Sequence, residues 1–592
     1  MKLRLMLLAV VAAPTFALAQ PSVPTGAEGN PSPTPAPTTI PGPSPTTSPT
    51  TSPTTGAPLD EAQIRELVDR EVARILTDRA AKDAADKAAR ESTEKELPAV
   101  PADKDPDLTG GSGFMDTRLA FTLTHENILA QPGETIPSAP GWRFGVPNSL
   151  GVLFFDNYDT RFSGFETLNH AVAYRSYSRG HLQAEGAFVL RILELSETNI
   201  ALSDAGTYIT VSNWKDPTHK DPTRISLTAF PVSSDRFRLG YSYRLSWGGT
   251  PEYRRSKSST PGVKLQYDAK GMYVFVGAKS GTLVDPKDGE LKGAVAALAG
   301  AGVDPLPNVR LEVNGGYFDR GYNELQDVQA EKVQLFGVSA QASINSGMPA
   351  RSSVDYRLYK YNNEKVSSLF NLEKYPGGLS WLAQAELTML GQTLKDPDKI
   401  GATVIQKGFA GDVNVRVKLD RIRLRADFSY RDLAFILHSQ PSLPPYSDFP
   451  SDYKTKPNYF AAIGADHNWG DWVTFGMIVG VEKPATLTSQ KGIPGDTTMT
   501  TSSTAVIRNN NIDTLITILP EGEEAALQFA TKGSLKLDFG RIFTTVLEVF
   551  YSYDPNQSRY EREGDDPDTS NFRYVFGQFN QLGLNATLQA RF

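Results

Sequence analysis

From Leu582 to Phe592 the chain alternates without interruption. Leu582, Leu584, Ala586, Leu588, Ala590 and Phe592 take one parity, and Gly583, Asn585, Thr587, Gln589 and Arg591 take the other. A period of two means a strand with one apolar and one polar face. The pattern runs on to the final aromatic residue, where a soluble domain commonly lets its end fray. A barrel in lipid cannot leave that edge open, because each unsatisfied backbone group there costs several kcal/mol. Few folds accommodate such an ending.

The same alternation recurs from Met115 onward, and the turns fix its register. Val413, Val415, Val417 and Leu419 share a parity, as do Ile422, Leu424, Ala426, Phe428 and Tyr430. A two-residue loop at Asp420-Arg421 sets Leu419 opposite Ile422, so both apolar rows lie on one face. Three further hairpins are expected. Tyr459 to Ala465 pairs with Val473 to Val479 across Trp469-Gly470, and Leu535 to Phe539 with Phe543 to Tyr553 across Gly540-Arg541. Val263 to Tyr267 pairs with Met272 to Val276 across Asp268 to Gly271. Two longer rows read as strands, one from Leu182 to Ile192 and one of Phe237, Leu239, Tyr241, Tyr243, Leu245 and Trp247. Strands of about 9–12 residues suit a tilted bilayer crossing. Short turns alternate with long segments at 432–457, 483–522 and 554–571, as they do in membrane barrels. The closing strand resembles that of bacterial outer-membrane β-barrel proteins, whose assembly machinery reads a last strand ending in Phe. The expected fold is all-β, a transmembrane antiparallel up-and-down barrel of about 18 strands, within about 16 to 20.

Composition narrows the alternatives. Hydrophobic residues make up 40% of the chain and mean hydropathy is negative. Beyond the amino terminus no apolar run is long enough for a membrane helix. The net charge of −7 argues against nucleic acid as a partner. With no cysteine, disulfides, thiolate metal sites and a lipoprotein anchor are excluded.

Residues 1–19 read as a signal peptide, with Lys2 and Arg4, an apolar core from Leu5 to Ala13, and Ala17-Leu18-Ala19 before cleavage. Residues 20–58 are a Pro/Thr/Ser-rich linker with too little to bury to offset its chain entropy, hence disordered. From 59 to 97, Ile64, Leu67, Val68, Val72, Ile75 and Leu76 form a helical stripe behind an Asp60–Gln63 start signal. That stripe fits either a short coiled coil making a homo-oligomer, with a trimer as one form, or a helix packed on the barrel rim. Residues 98–114 are a second linker, and 115–592 the barrel.

In such a barrel the apolar row faces lipid and the polar row the lumen. Tyr243, Trp247, Tyr430, Tyr551, Tyr553 and Phe592 then serve as girdle aromatics. Inward parity carries Arg236, Arg238, Arg244, Arg416, Lys418, Arg423, Arg425 and Arg431, the candidate pore-lining residues. The register sets Arg416 against Arg425 and Lys418 against Arg423. Like charges facing across a ladder are destabilising. They imply a hydrated lumen or an inward acidic loop drawn from Asp156, Asp159, Asp448, Asp452, Asp565, Asp566 or Asp568.

No nucleotide, metalloprotease or nucleophile-elbow motif is present. The six His are scattered, and Asp565-Asp566-Pro567-Asp568 lacks the glycine and spacing of a calcium loop. No catalytic residue, metal or cofactor is expected. The plan of signal, spacer, helical segment and barrel resembles porin-like outer-membrane proteins with a periplasmic coiled-coil extension. That resemblance implies a passive channel for small hydrophilic solutes in the outer membrane, and the basic parity adds a mild anion preference. The lipids and the barrel-assembly machinery are the implied partners. The alternative is a structural or adhesive barrel that tethers envelope layers or binds a partner through its long outer loops.

Overall fold

The structure, a computed structural model, describes residues 111–591 apart from 131–140, 145–168, 196–199, 254–259, 348–377, 440–445, 490–501, 510–513, 564–570 and a few isolated turn positions. The signal, linker and helical segments expected before 111 lie outside the described residues, as does Phe592.

Eighteen antiparallel strands close into one barrel. In chain order they are Gly111–His125, His170–Arg179, Leu182–Leu195, Tyr208–Trp214, Arg224–Phe230, Gly262–Ala269, Met272–Val284, Leu291–Leu306 and Val309–Tyr322. The second half comprises Lys332–Ser346, Leu379–Lys395, Thr403–Leu419, Ile422–Arg431, Asn458–Trp469, Val473–Lys483, Gln528–Phe539, Phe543–Tyr553 and Asn580–Arg591. Each pairs with its chain neighbours. The last strand closes the ring on the first, with Leu119 opposite Ala590 and Phe121 opposite Leu588. The first strand begins at Gly111, ahead of the expected Met115.

The parity rule holds through the wall. On Ile422–Arg431, Ile422, Leu424 and Phe428 are exposed on the outer face, whereas Arg423, Asp427, Ser429 and Arg431 are buried inward. An outer surface of exposed Val, Leu, Ile and Phe around a closed ring can only be covered by lipid, so the barrel spans a membrane. The expected register is observed: Leu419 faces Ile422, Lys418 faces Arg423 and Arg416 faces Arg425. Asp420 takes a positive φ of 49°, as its two-residue turn demands. The Trp469 and Phe539 hairpins also pair as expected, with Trp469 opposite Val473 and Phe539 opposite Phe543. In the Val263 hairpin pairing continues to Ala269–Met272, so the turn is Lys270-Gly271 alone.

One end of the barrel carries the tight turns, the other the long loops. Two connections depart from the rule: residues 215–223 and 347–378 are longer links at the tight-turn end. At the long-loop end, Tyr453–Lys456, Ala485–Ser489, Ser503–Asn509 and Thr514–Ile518 form a separate four-stranded sheet, and Ser558–Glu563 pairs with Asn571–Phe576.

The row from Phe237 to Trp247 is not a strand. It belongs to the 231–261 connection, which folds into the barrel and buries Phe237, Leu239, Tyr241, Leu245 and Trp247 against the inner wall. Trp247, expected in the outer girdle, is instead 1% exposed and stands beside Phe318.

Candidate functional site

The inward loop is held first at its neck. Strand Met272–Val284 points Lys279 inward, and its ammonium donates to Ser234 O (2.8 Å) where the loop enters and to Gly248 O (2.6 Å) where it returns. Between them Leu239 and Trp247 exchange both backbone hydrogen bonds, so the loop doubles back on itself. Gly240 and Gly248 have φ of 83° and 77°. A Cβ at Gly248 would also stand 2.9 Å from the Phe318 ring, so glycine is required there by both conformation and space.

The loop is then pinned to successive strands. Gly240 N donates to Asn314 Oδ1 (3.0 Å), and Trp247 Nε1 donates to Ser339 Oγ (3.0 Å). Tyr241 N and Ser242 N both donate to the Glu386 carboxylate, at 3.0 and 2.5 Å. Arg244 reaches further round the ring. Its guanidinium lies 3.4 Å from the Phe460 ring centroid and 3.8 Å from Glu482. Register puts Glu386, Asp412, Ser429, Phe460 and Glu482 in one row across neighbouring strands. The 241–244 tip of the loop therefore grips one level of the wall, while Asn314 and Ser339 hold it from the next inward row, that of Thr388.

A second inward element locks the first. Asp432 caps the short helix Leu433–Leu437 through Phe435 N (2.7 Å) and also accepts from Phe409 N (2.7 Å). This seats Phe435 in the core shared with the loop. His438 follows, with Nδ1 against Phe435 O and Nε2 3.1 Å from Glu252 Oε1 on the inward loop. Each ring nitrogen thus faces an oxygen, one on its own helix and one on the inward loop. Burial pushes the Glu252 carboxyl up, but His438, Arg320 and the Gly248 amide outweigh it and leave the group below its ordinary value.

The expected pore-lining residues separate into three sets. Arg236 and Arg238 sit on the inward loop, not on a strand, and Arg238 pairs locally with Asp235 (2.9 Å). Arg244, Arg423 and Arg431 are buried: Arg244 by the loop and Phe460, Arg423 by Asp466 (2.8 Å), Arg431 by Asn458. Arg416, Lys418 and Arg425 are half-buried on the inward face. Arg416 and Arg425 lie two inward rows from the gripped level, toward the tight turns, with Asn414 and Asp427 between.

The acid partners also differ from expectation. Among the described residues, the acids seen to pair with cations of the wall stand on the wall itself. Arg423 faces Asp466 across the next strand pair, Lys532 meets Glu548 (3.3 Å) and Lys536 meets Asp538 (3.1 Å). Asp448 accepts from Gln406 (2.6 Å), while Asp156, Asp159, Asp565, Asp566 and Asp568 lie outside the described residues. Reading single hairpins hid the Arg423–Asp466 pair, because that partner sits on the strand beyond; Lys532 and Glu548 belong to one hairpin, and Lys536 and Asp538 to one strand. Glu386, Asn314, Lys279, Glu252 and His438 were also missed. Inward parity was the signal for the first three; the two loop residues carried none.

No protein-family model matches the chain, and no curated protein matches it. Among solved structures it is similar to OpdQ of Pseudomonas aeruginosa, at 7% identity over 81% of this chain and 98% of that one, with a TM-score of 0.37. It is similar to OprD of the same organism at 10% identity, over 82% and 98% of the two chains, with a TM-score of 0.35. A third is an anion-selective porin from Comamonas acidovorans, at 7% identity over 82% and 100%, with a TM-score of 0.34.

Proposed function

We propose that the protein is an outer-membrane, porin-like channel for passive diffusion of small hydrophilic solutes, with loop 231–261 as its constriction. The observation that carries this reading is the tip of the inward loop gripping one level of a closed membrane barrel while Arg416, Lys418 and Arg425 stay half-exposed inside. A membrane barrel that only anchors other parts gains nothing from an internal loop pinned by Lys279, Asn314, Ser339 and Glu386. The same three cations support a mild preference for anions, weakened by the wall carboxylates that neutralise their neighbours. The assignment is transport without a catalytic step. Assembly as a homo-oligomer, with trimers as one form, accompanies it.

The test is single-channel recording of the purified chain in planar bilayers. Stepwise conductance is expected, and its absence at every voltage would overturn the reading. The separate sheet on the long-loop face favours the alternative, an adhesive barrel, and silent bilayers would leave that reading standing.

A further inference from the structure

The outer aromatic girdle does not stop where strand Phe543–Tyr553 ends. Tyr551 and Tyr553 stand on its lipid-facing parity, and the Tyr551 hydroxyl donates to Asn580 Oδ1 (2.6 Å). Tyr553 meets Phe579 edge-on (centroids 6.3 Å, 80°), and Phe579 meets Phe576 in the same way (5.6 Å, 77°). Phe576 belongs to the hairpin of Ser558–Glu563 and Asn571–Phe576. The aromatic column therefore climbs from the lipid-facing wall past the rim and into this hairpin.

The hairpin has two unlike faces. Register places Ser558, Tyr560 and Arg562 on one face with Phe576 and Tyr574. Tyr560 and Tyr574 are ring partners at 5.0 Å, yet Tyr560 remains 59% exposed and Phe576 39%. The opposite face carries Arg559, Glu561 and Arg573, with Arg559 paired to Glu561. A two-stranded ribbon is only marginally stable in water, and here its aromatic side stays open while Arg559 and Glu561 pair on the other. Tyrosine and arginine together on a surface continuous with the bilayer-facing wall match the headgroup zone, where amphipathic rings settle and a guanidinium meets phosphate.

We propose that the paired strands Ser558–Glu563 and Asn571–Phe576 are a membrane-surface anchor: Tyr560, Tyr574 and Phe576 lie in the headgroup zone of the outer leaflet, and Arg562 binds lipid phosphate. The anchoring holds whether or not the barrel conducts.

The chain has no cysteine, so single labels are unambiguous. Spin labels at Tyr560→Cys and at Glu561→Cys sample opposite faces of one strand in the full-length protein reconstituted into phosphatidylcholine vesicles. Membrane-dissolved oxygen should relax the 560 label several-fold more than an aqueous nickel chelate does, with the reverse at 561. Phe576→Cys repeats the lipid-side measurement should Tyr560→Cys fail the heat-modifiability test of folding. Adding phosphatidylglycerol should deepen the 560 label, and Arg562→Gln should abolish that deepening. Equal aqueous exposure of both faces overturns the proposal. Shielding of the 560 label from both reagents overturns it too, since that marks a contact between copies. Deepening that survives Arg562→Gln overturns the phosphate contact.

Discussion

One ammonium bridges the neck of the inward loop, and Lys279→Met isolates its part. Lys279 is 3% exposed, and its two carbonyl partners flank the doubled-back stretch from Ser234 to Gly248. Hydrogen bonds to a charged group contribute about 1.5–3 kcal/mol each. Methionine keeps the stem's packing near Phe237 but takes the ammonium from both carbonyls, of which Ser234 O keeps its bond from Phe237 N (2.9 Å). Against that loss, the variant no longer buries an ammonium, which by itself costs several kcal/mol. The net loss is therefore smaller than the sum of the two bonds, on the order of 2 kcal/mol. At about 1.4 kcal/mol per tenfold, the population with an open neck rises roughly 30-fold. The loop body stays seated, because Phe237, Leu239, Leu245 and Trp247 remain buried beneath it. Single-channel traces of Lys279→Met should show added brief transitions around an unchanged main level. Trp247→Ala removes a buried aromatic worth about 3–5 kcal/mol and should change the main level itself. A Lys279→Met trace with wild-type transition frequency would refute the idea that this ammonium holds the neck.

Glu252 gives the loop a pH dependence of definite sign. Its carboxyl lies below its ordinary value, so its stabilising contribution is present above the ordinary carboxylate range and lost as pH falls through the lowered value. Acid should increase loop transitions in the wild type, while Glu252→Gln should show them at neutral pH and respond little to acid; retained acid sensitivity in that variant would reassign the effect. Asp466→Asn leaves the buried Arg423 guanidinium without its carboxylate and should destabilise the barrel by about 3 kcal/mol in denaturant unfolding, with the Arg423→Gln double variant recovering most of it. Neutralising Arg416 and Arg425 to Gln should move the reversal potential toward cation preference, and an unmoved potential would place both residues off the solute path. Deleting Phe592 should impair membrane assembly more than secretion, and a normal heat-modifiable barrel in the outer membrane of that mutant would count against its role in assembly.

The wall was legible in the sequence because two independent constraints meet there. Side-chain parity sorts inside from outside, and a two-residue turn such as Asp420-Arg421 leaves one register consistent with both rows. The inward loop met only the first constraint. Any extended segment that buries one side alternates with period two, so Phe237 to Trp247 imitates a strand. The clues against it, Gly240 and Gly248 with the polar Ser233-Ser234-Asp235 entry, gain meaning only beside the Phe318 ring and the Glu386 carboxylate, which are distant in sequence. Charge reading failed for a related reason. A hairpin shows each strand one neighbour, and Arg423 finds its acid on the other side, at Asp466. Inward parity in a barrel thus defines a set of candidates without ranking them. The same rule places Arg416, Arg423, Arg425 and Arg431 inside, but Asp466 and Asn458 engage two of them while the other two stay half-exposed. What decides which cations a solute can meet is the residue the next strand sets opposite each one: Asp466 for Arg423 and Asn458 for Arg431, but only Gly464 for Arg425.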